Sequence, residues 1–417
     1  MKKIAIIGSG ISGLTSAWLL SQKHQVSVFE QNNYIGGHTA TVDVNVDGKD
    51  YAIDTGFIVY NDKTYDNFLK LLANIGMSRQ ETEMSFSVHN LATGLEYNGH
   101  NLDTLFAQRR NLLRPKFWHL IREILRFNKA CKMAYESNDH DLSLTLGEFL
   151  TNNKFSEFFA EHYILPMGAA IWSSSLAEMQ AFQFHFFVRF FHNHGLLNIA
   201  DRPQWYVIPG GSRNYIEPLI EPFKERIYLN ARIENITRDA DKVQLHMASG
   251  EVQEFDELIL ACHSDQALSL LADATDNEQA VLGAIPYSAN DVVLHTDINL
   301  LPKRRKAWAS WNYQLSSDRA RPASVTYNMN ILQGLSSDTT FCVTLNQNDA
   351  IDDAKILKKF VYHHPVFNVK TMQAQQQRHL ICGHNHTHFA GAYWYNGFHE
   401  DGVKSAVDVG KRFDCHL

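Results

Sequence analysis

The chain has 417 residues, too many for one simple core and suited to two intertwined domains of roughly 150–200 residues each. Hydrophobic residues make up 45% of it and charged residues 20%, which excludes wholesale disorder, and a formal net charge of −7 excludes a nucleic-acid partner, which would need a basic surface. Five widely spaced cysteines without a CxxC pair, and no run of about 18 apolar residues, predict a reduced cytoplasmic protein without a transmembrane helix.

Lys3 to Ile7 is a short apolar run rich in β-branched residues, the pattern of a parallel strand buried on both faces. Gly8-Ser9-Gly10-Ile11-Ser12-Gly13 follows at once. A helical pattern then runs through Leu14, Ala17, Trp18 and Leu20, and a second strand from Gln25 to Phe29 leads into Glu30 and Gln31. In this order the parts predict a dinucleotide-binding βαβ unit. Gly8 permits the tight turn, Gly10 lets a pyrophosphate approach the backbone, and Gly13 lets helix and strand pack closely. The helix N-terminus offers unpaired N–H groups, and Glu30 stands about 20 residues on, where an acid accepts hydrogen bonds from ribose hydroxyls. The unit alone does not separate FAD from NAD.

Asn33-Tyr34-Ile35-Gly36-Gly37-His38-Thr39 follows the acid, and a hairpin is expected over 41–51, ahead of Ile53-Asp54-Thr55-Gly56. A helix is expected over 61–75, strands over 83–97, and long helical stretches over 102–136 and 143–194, the second dense in phenylalanine. Pro209-Gly210-Gly211-Ser212 opens a helix expected over 213–224. Strands are expected at 227–230, 231–239, 242–247, 251–255 and 256–262. Segments 291–297, 308–313, 324–330 and 341–346 suggest an antiparallel sheet. A strand from His388 ends in Ala390-Gly391, and Gly397 to Ala406 turns into a last helix.

At Gly36-Gly37, Asp54-Thr55-Gly56, Pro209-Gly210-Gly211, Phe389-Ala390-Gly391 and the helix start at Asp401-Gly402-Val403, the sequence resembles the flavin amine oxidase superfamily. That group includes monoamine oxidases, protoporphyrinogen oxidases, phytoene desaturases and flavin-dependent fatty-acid isomerases. Over 170–173, 194–196, 308–313 and 392–402 the chain is similar to bacterial NAD/FAD-binding proteins, some of them linked to fatty-acid modification. The resemblance implies an α/β fold with an FAD-binding Rossmann-like (GR2-type) domain and an interleaved substrate domain of antiparallel sheet plus helices. The FAD-binding domain would comprise 1–62, 200–284 and 375–417, and the substrate domain 63–199 and 285–374.

The cofactor implied is FAD, held non-covalently, because the Ser-Gly-Gly-Cys-Tyr attachment segment of monoamine oxidases is missing. Its implied contacts are Gly8, Ser9, Gly10, Ile11, Ser12, Gly13, Glu30, Gln31, Gly36, Gly37, His38, Thr39, Asp54, Thr55, Gly56, Gly391, Asp401, Gly402 and Val403, with Val243 near the adenine. Trp308, Trp311, Asn312, Tyr327 and Asn328 are the implied wall of the substrate pocket. The implied activity is that of an FAD-dependent oxidoreductase or isomerase. It would act on a hydrophobic small molecule or lipid, such as an unsaturated fatty-acyl chain, by hydride transfer to flavin N5. A flavin amine oxidase and a non-catalytic FAD- or lipid-binding module stand as alternatives. No general base is assigned; His194 and His399 are the candidates to test first.

Two further patterns bear on function. Cys382, His384, His386 and His388 alternate, so that on one strand they would share a face suited to zinc, but the expectation is a polar strand face and no metal. Residues 109–133 are basic and amphipathic, with Phe117, Leu120, Ile121, Ile124, Leu125 and Phe127 as the apolar stripe. Such a helix could give peripheral contact with the inner membrane surface.

Overall fold

A computed structural model describes residues 1–137, 143–198, 202–316, 318, 321 and 323–417. The domain boundary expected at 199/200 lies outside these described residues. The first sheet has five parallel strands in the spatial order Ile227–Tyr228, β2 (Gln25–Phe29), β1 (Lys3–Ile7), Glu257–Leu260 and Thr387–Phe389. Its centre is fully buried: Ile4, Ala5, Ile6, Leu258, Ile259 and Leu260 have no exposed surface. That burial explains why these strands read as unbroken apolar runs.

Helix α1 (Ile11–Leu20) leaves β1 through the glycine turn and packs against the sheet and the last helix, His399–Lys411. The closeness of this packing rests on Gly13. A Cβ there would lie 1.9 Å from the Gly8 carbonyl oxygen and 3.3 Å from Ala261 Cβ. Gly8 itself has φ +103° and donates its N–H to the Phe29 carbonyl at 2.8 Å, tying the exit of β1 to the end of β2.

The second large sheet has seven strands in the order Ile356–Pro365, Tyr287–His295, Cys342–Leu345, Val325–Asn328, Trp311–Leu315, Phe86–Asn90 and Leu95–Asn98. All neighbours are antiparallel except Trp311–Leu315 with Phe86–Asn90. The expected four-strand sheet is therefore present and extended on both sides. Ile356–Pro365 has no counterpart among the expected strands. It is an edge strand, rich in Lys and His and largely exposed, so it lacks the apolar alternation by which a half-buried strand is read. A hairpin (Thr41–Val46 with Lys49–Asp54), a three-stranded sheet joining Val59–Asn61, Trp205–Val207 and Gln80–Thr82, and an antiparallel trio over 233–255 complete the strands among the described residues.

The expected long helices are divided. Over 102–136 a short helix, Leu102–Leu105, and a 3-10 turn, Arg109–Leu113, precede a 22-residue helix, Pro115–Glu136. Proline at its first turn fixes the start, since Pro115 cannot continue a preceding helix. Over 143–194 the chain forms several short helices. Thr145 and Ser175 cap two of them through capping boxes with Glu148 and Glu178, and Ser156 caps a third. The helix expected over 213–224 is a 3-10 turn, Ser212–Tyr215, and a short α-helix, Ile216–Ile220.

The phenylalanines of this region form a core of their own with Phe117, Leu120 and Phe127. The apolar stripe expected on residues 109–133 thus faces inward, and of its members only Leu125 is exposed. The Rossmann-like sheet has a separate core that draws residues from 4–72, 206–285 and 374–415. Because Gly13 allows no Cβ without moving backbone, Gly13→Ala is expected to destabilise the protein by roughly 1–3 kcal/mol. A thermal unfolding scan without added cofactor reads this as a lower Tm, and an unchanged Tm would contradict the close helix–strand contact.

Candidate functional site

The N-terminus of α1 is open. Its N-cap residue is Gly10, no side chain caps it, and its first turn holds no acid. The first helical bond runs from Leu14 N–H to the Gly10 carbonyl at 2.9 Å, so the N–H groups ahead of it lack intrahelical acceptors. A Cβ added at Gly10 would meet nothing within 4 Å. Gly13 has no room for a side chain, whereas Gly10 borders open space.

Gly37 stands opposite Gly10, and Gly36 precedes it. Both have positive φ, +124° and +57°, and a Cβ on Gly37 would stand 3.2 Å from Gly10 Cα. The Gly36 N–H donates to the Ser9 carbonyl at 3.1 Å. Glu30, at the end of β2, accepts from Ser9 N–H (2.9 Å), Ser9 O–H (2.7 Å), Asn32 N–H (2.9 Å) and the Asn32 amide (2.8 Å). Gln31 is exposed beside it.

Residues 38–40 are pinned to 55–57. Thr55 N–H donates to Ala40, and Phe57 N–H donates to His38 at 2.7 Å. Gly56 is obligatory in that contact, since a Cβ would lie 2.1 Å from the His38 carbonyl oxygen. Asp54 is fully buried and accepts from Ser212 N–H (2.9 Å), Ser212 O–H (2.9 Å) and Thr41 O–H (2.6 Å). Burial pushes its carboxyl up to about 6 in spite of these donors. Thr39, Tyr215 and His399 form a buried chain: Thr39 Oγ1 to Tyr215 OH is 2.5 Å, and Tyr215 OH to His399 Nε2 is 2.7 Å.

The last helix closes the site. Gly391 N–H donates to Ser405 Oγ at 2.8 Å, and Ser405 in turn donates to the Gly402 carbonyl. Gly402 crosses directly over α1, where a Cβ would lie 2.7 Å from Ile11 Cγ2 and 2.9 Å from Ser12 Oγ. The N-termini of two helices are thereby brought side by side. The helix begins at His399, so Asp401 to Val403 occupy its third to fifth positions rather than its first. Asp401 accepts from Phe398 N–H at 2.8 Å, and burial pushes its carboxyl up to about 7.

The two candidate histidines differ in setting. His194 stacks on Phe190 at 3.9 Å with Nδ1 2.9 Å from the Phe190 carbonyl, and burial lowers it to about 4. His399 stacks on Phe57 at 3.6 Å, bonds to Tyr215, and is held well below the usual histidine range by burial. Both are neutral members of aromatic stacks near pH 7. Trp311 and Tyr327 meet edge to face at 5.0 Å between the helical core and the neighbouring strands. Asn312 is used structurally, engaging Ser87, the N–H and carbonyl of Ala309, and Thr326. Asn328 likewise caps Met329–Leu332, and Trp308 donates to Pro302 with Arg305 over its ring.

A histidine cluster had no signal in the sequence. His38, beside the double glycine, lies 5.6 Å from His364, 6.2 Å from His263 and 5.1 Å from Tyr362, measured between ring centres. Burial and the neighbouring histidines lower His38 to about 3 and His364 to about 4, so both are neutral. His38 Nε2 is buried without a partner. The members come from three distant segments, which no local motif could join.

The Cys382-to-His388 alternation does not form one strand face. The strand is only Thr387–Phe389, and Asn385 and His386 have φ of +47° and +55°. Cys382 Sγ and His388 Nδ1 are 4.0 Å apart, His388 pairs with Glu257 at 3.2 Å, and His386 Nε2 turns to the Ala240 carbonyl. No set of three or more metal-ligating side chains occurs among the described residues.

An uncapped helix on a parallel sheet, a glycine-lined void at its start and a second helix converging on the same point fit a dinucleotide-binding protein. The donor set suits that group: open N–H donors for a diphosphate, a carboxylate at the end of β2, and an unpartnered imidazole nitrogen. Residues 11–310 match the model of the family described as flavin containing amine oxidoreductase, and the chain belongs to that family. Membership places the chain among flavin-containing oxidoreductases.

Among curated relatives, a 1-hydroxycarotenoid 3,4-desaturase of Flavobacterium sp. (strain P99-3) is 47% identical over 57 residues, 13% of this chain and 11% of that one. An L-amino-acid oxidase of Mus musculus is 24% identical over 327 residues, 74% of this chain and 48% of that one. The chain thus spans about a tenth to a half of the length of these relatives. The fold is shared with a CLA-producing fatty acid isomerase from P. acnes (TM-score 0.70, 17% identity, 99% and 98% of the two chains). It is shared equally with cyclohexylamine oxidase from Brevibacterium oxydans IH-35A (TM-score 0.71, 15% identity, 99% of each chain).

Asp401 gives a signed pH dependence. Its carboxyl rises from an ordinary 3.8 to about 7 on folding, so its protonation favours the folded state. That contribution is complete below pH 3.8 and is lost as the pH rises through about 7. Asp401→Asn is therefore expected to gain stability over the unmodified protein between pH 4 and pH 8, by on the order of a few kcal/mol. Paired thermal scans across that range check it, and a difference in Tm independent of pH would contradict it.

Proposed function

We propose that the protein holds FAD non-covalently along the seam between α1 and the last helix and acts on a hydrophobic substrate. We place an unsaturated fatty-acyl chain first as the class of that substrate. The observation that carries the placement is the contact of Gly402 with Ile11 and Ser12, which aims two positive helix ends at the void beside Gly10. The N–H groups of Ile11, Ser12 and Gly13 would bind the diphosphate. Glu30 would exchange one of its present donors for a ribose hydroxyl. Gly36, Gly37 and Gly56 would let backbone lie against the cofactor, while Asp54 holds the 212–215 turn in register.

Bound FAD supplies a centre that accepts and returns a hydride. The N–H groups at the start of this helix, ahead of the Gly402 bond to the Phe398 carbonyl, would favour negative charge developing beside them. Trp311, Tyr327 and the Phe-rich helical core would exclude water and leave an alkyl chain as the matching ligand. The segments 1–62, 200–284 and 375–417 would bind the cofactor, and 63–199 with 285–374 would form the substrate wall. Two of the cores support this division, with 65–72 joining the first, while a third core joins Val42, Ile53 and Val207 to the strands of 292–345. Likeness of fold to a fatty acid isomerase, and local likeness to a carotenoid desaturase, support an apolar substrate.

A visible spectrum taken before and after acid precipitation tests the cofactor, which is expected in the supernatant. Gly10→Ala is expected to keep the cofactor-free Tm, because its Cβ meets nothing, and to weaken FAD retention by about tenfold or more. Anaerobic incubation with unsaturated fatty acids is expected to bleach the flavin or move a double bond. Peroxide formed from amines alone would replace this reading with an amine oxidase. A flavin that neither class reduces would leave a binding module. A colourless protein unable to take up FAD would refute the placement.

A further inference from the structure

We propose that the surface built from 102–125 and 303–306 is a docking face for an anionic lipid bilayer. The protein carries a net charge of −7, yet this surface is strongly basic. Residues 109–116 contribute four basic side chains and no acid, and 303–306 contribute four more. The two segments lie almost two hundred positions apart and are joined through Asp103, which bonds to Arg109 and, at 2.9 Å, to Lys306.

Apolar side chains stand among these charges. Leu113 is 88% exposed and Leu102 75%, and Leu112 is exposed between Asn111 and Leu113. The turn that displays them is rigidly built. Asn111 is fully buried beneath it, and Gln108 anchors it to the Gly94 carbonyl at 2.6 Å. Trp118 donates its indole N–H to the Leu112 carbonyl at 2.9 Å and packs on Phe106 at 5.3 Å, while its ring is 43% exposed. An indole anchored at one end and bare along its side suits the depth where headgroups meet acyl chains.

The helix Pro115–Glu136 continues the same face. Trp118, Arg122, Leu125, Lys129 and Met133 are all exposed, and their spacing places them on one side of the helix. The face therefore mixes apolar and basic residues, whereas the opposite side, with Phe117, Leu120 and Phe127, is committed to the core. A polyanionic partner without apolar surface would have no use for the leucines, and an apolar protein partner no use for eight cations. A bilayer of anionic lipid satisfies both. The inference rests on this surface and not on the flavin reading.

Co-sedimentation of the full-length holoprotein with vesicles tests it. Phosphatidylcholine vesicles containing about 30% phosphatidylglycerol are expected to carry the protein down, and pure phosphatidylcholine vesicles to bind at least about tenfold less. High salt is expected to release it. Leu113→Glu and, separately, Arg122→Glu are each expected to weaken binding several-fold, with the flavin spectrum and Tm unchanged. Both side chains are exposed, so these variants keep the fold. Equal binding to both vesicles, no binding to either, sedimentation without vesicles, or binding indifferent to both substitutions would each overturn the proposal.

Discussion

Two helix N-termini held against each other, the first with no acid in its opening turn and the second with Glu400 and Asp401 in its own, form the constraint on which the rest of this structure depends. Each terminus carries unpaired N–H donors and the positive end of a macrodipole, worth about half an elementary charge. Bringing two together is unfavourable until an anion or a polarised oxygen sits between them. The chain lines the approach to these termini with glycine. The close approach has a steric condition at Gly402, where any side chain would strike Ile11 and Ser12.

Holding that geometry falls to segments far apart in sequence. Asp54 fixes the Ser212 turn, Thr39 and Tyr215 reach His399, and Gly391 is clamped to Ser405. Glu400 spans further, accepting from Asn67 and Phe68 at the start of the helix Asp66–Asn74. It does so with a carboxylate pushed upward by burial, so this cap is more sensitive to protonation than a surface one. The same few polar side chains therefore fix both the backbone path and the electrostatics of the site.

The sequence made the first forty residues legible because each part there is local: a fully buried strand, a glycine turn and an apolar helix follow one another without interruption. The glycine pairs and the last helix were legible through likeness to relatives, and the backbone at Gly36, Gly56 and Gly402 supplies the steric reason for each. Elsewhere the signal was weak for physical reasons. Capping serines and Pro115 cut apparently continuous helical patterns, and the edge strand Ile356–Pro365 is too polar to alternate. The neighbours of His38 come from 263 and 364, and the basic turn at 109–116 meets 303–306 only in three dimensions. A linear motif cannot carry such encounters.

The order of strands in the parallel sheet has a consequence for biosynthesis. The strand Thr387–Phe389 pairs with Glu257–Leu260, and the helix His399–Lys411 completes the contact with α1. A nascent chain thus carries the first helix N-terminus early, but the sheet edge at 257–260 stays unpaired until the 387–411 segment has left the ribosome. At translation rates of about 5–20 residues per second, that edge waits roughly 6–30 seconds as an apolar strand open to mispairing. The convergence of the two helix N-termini and the sealing of this edge therefore become one late event.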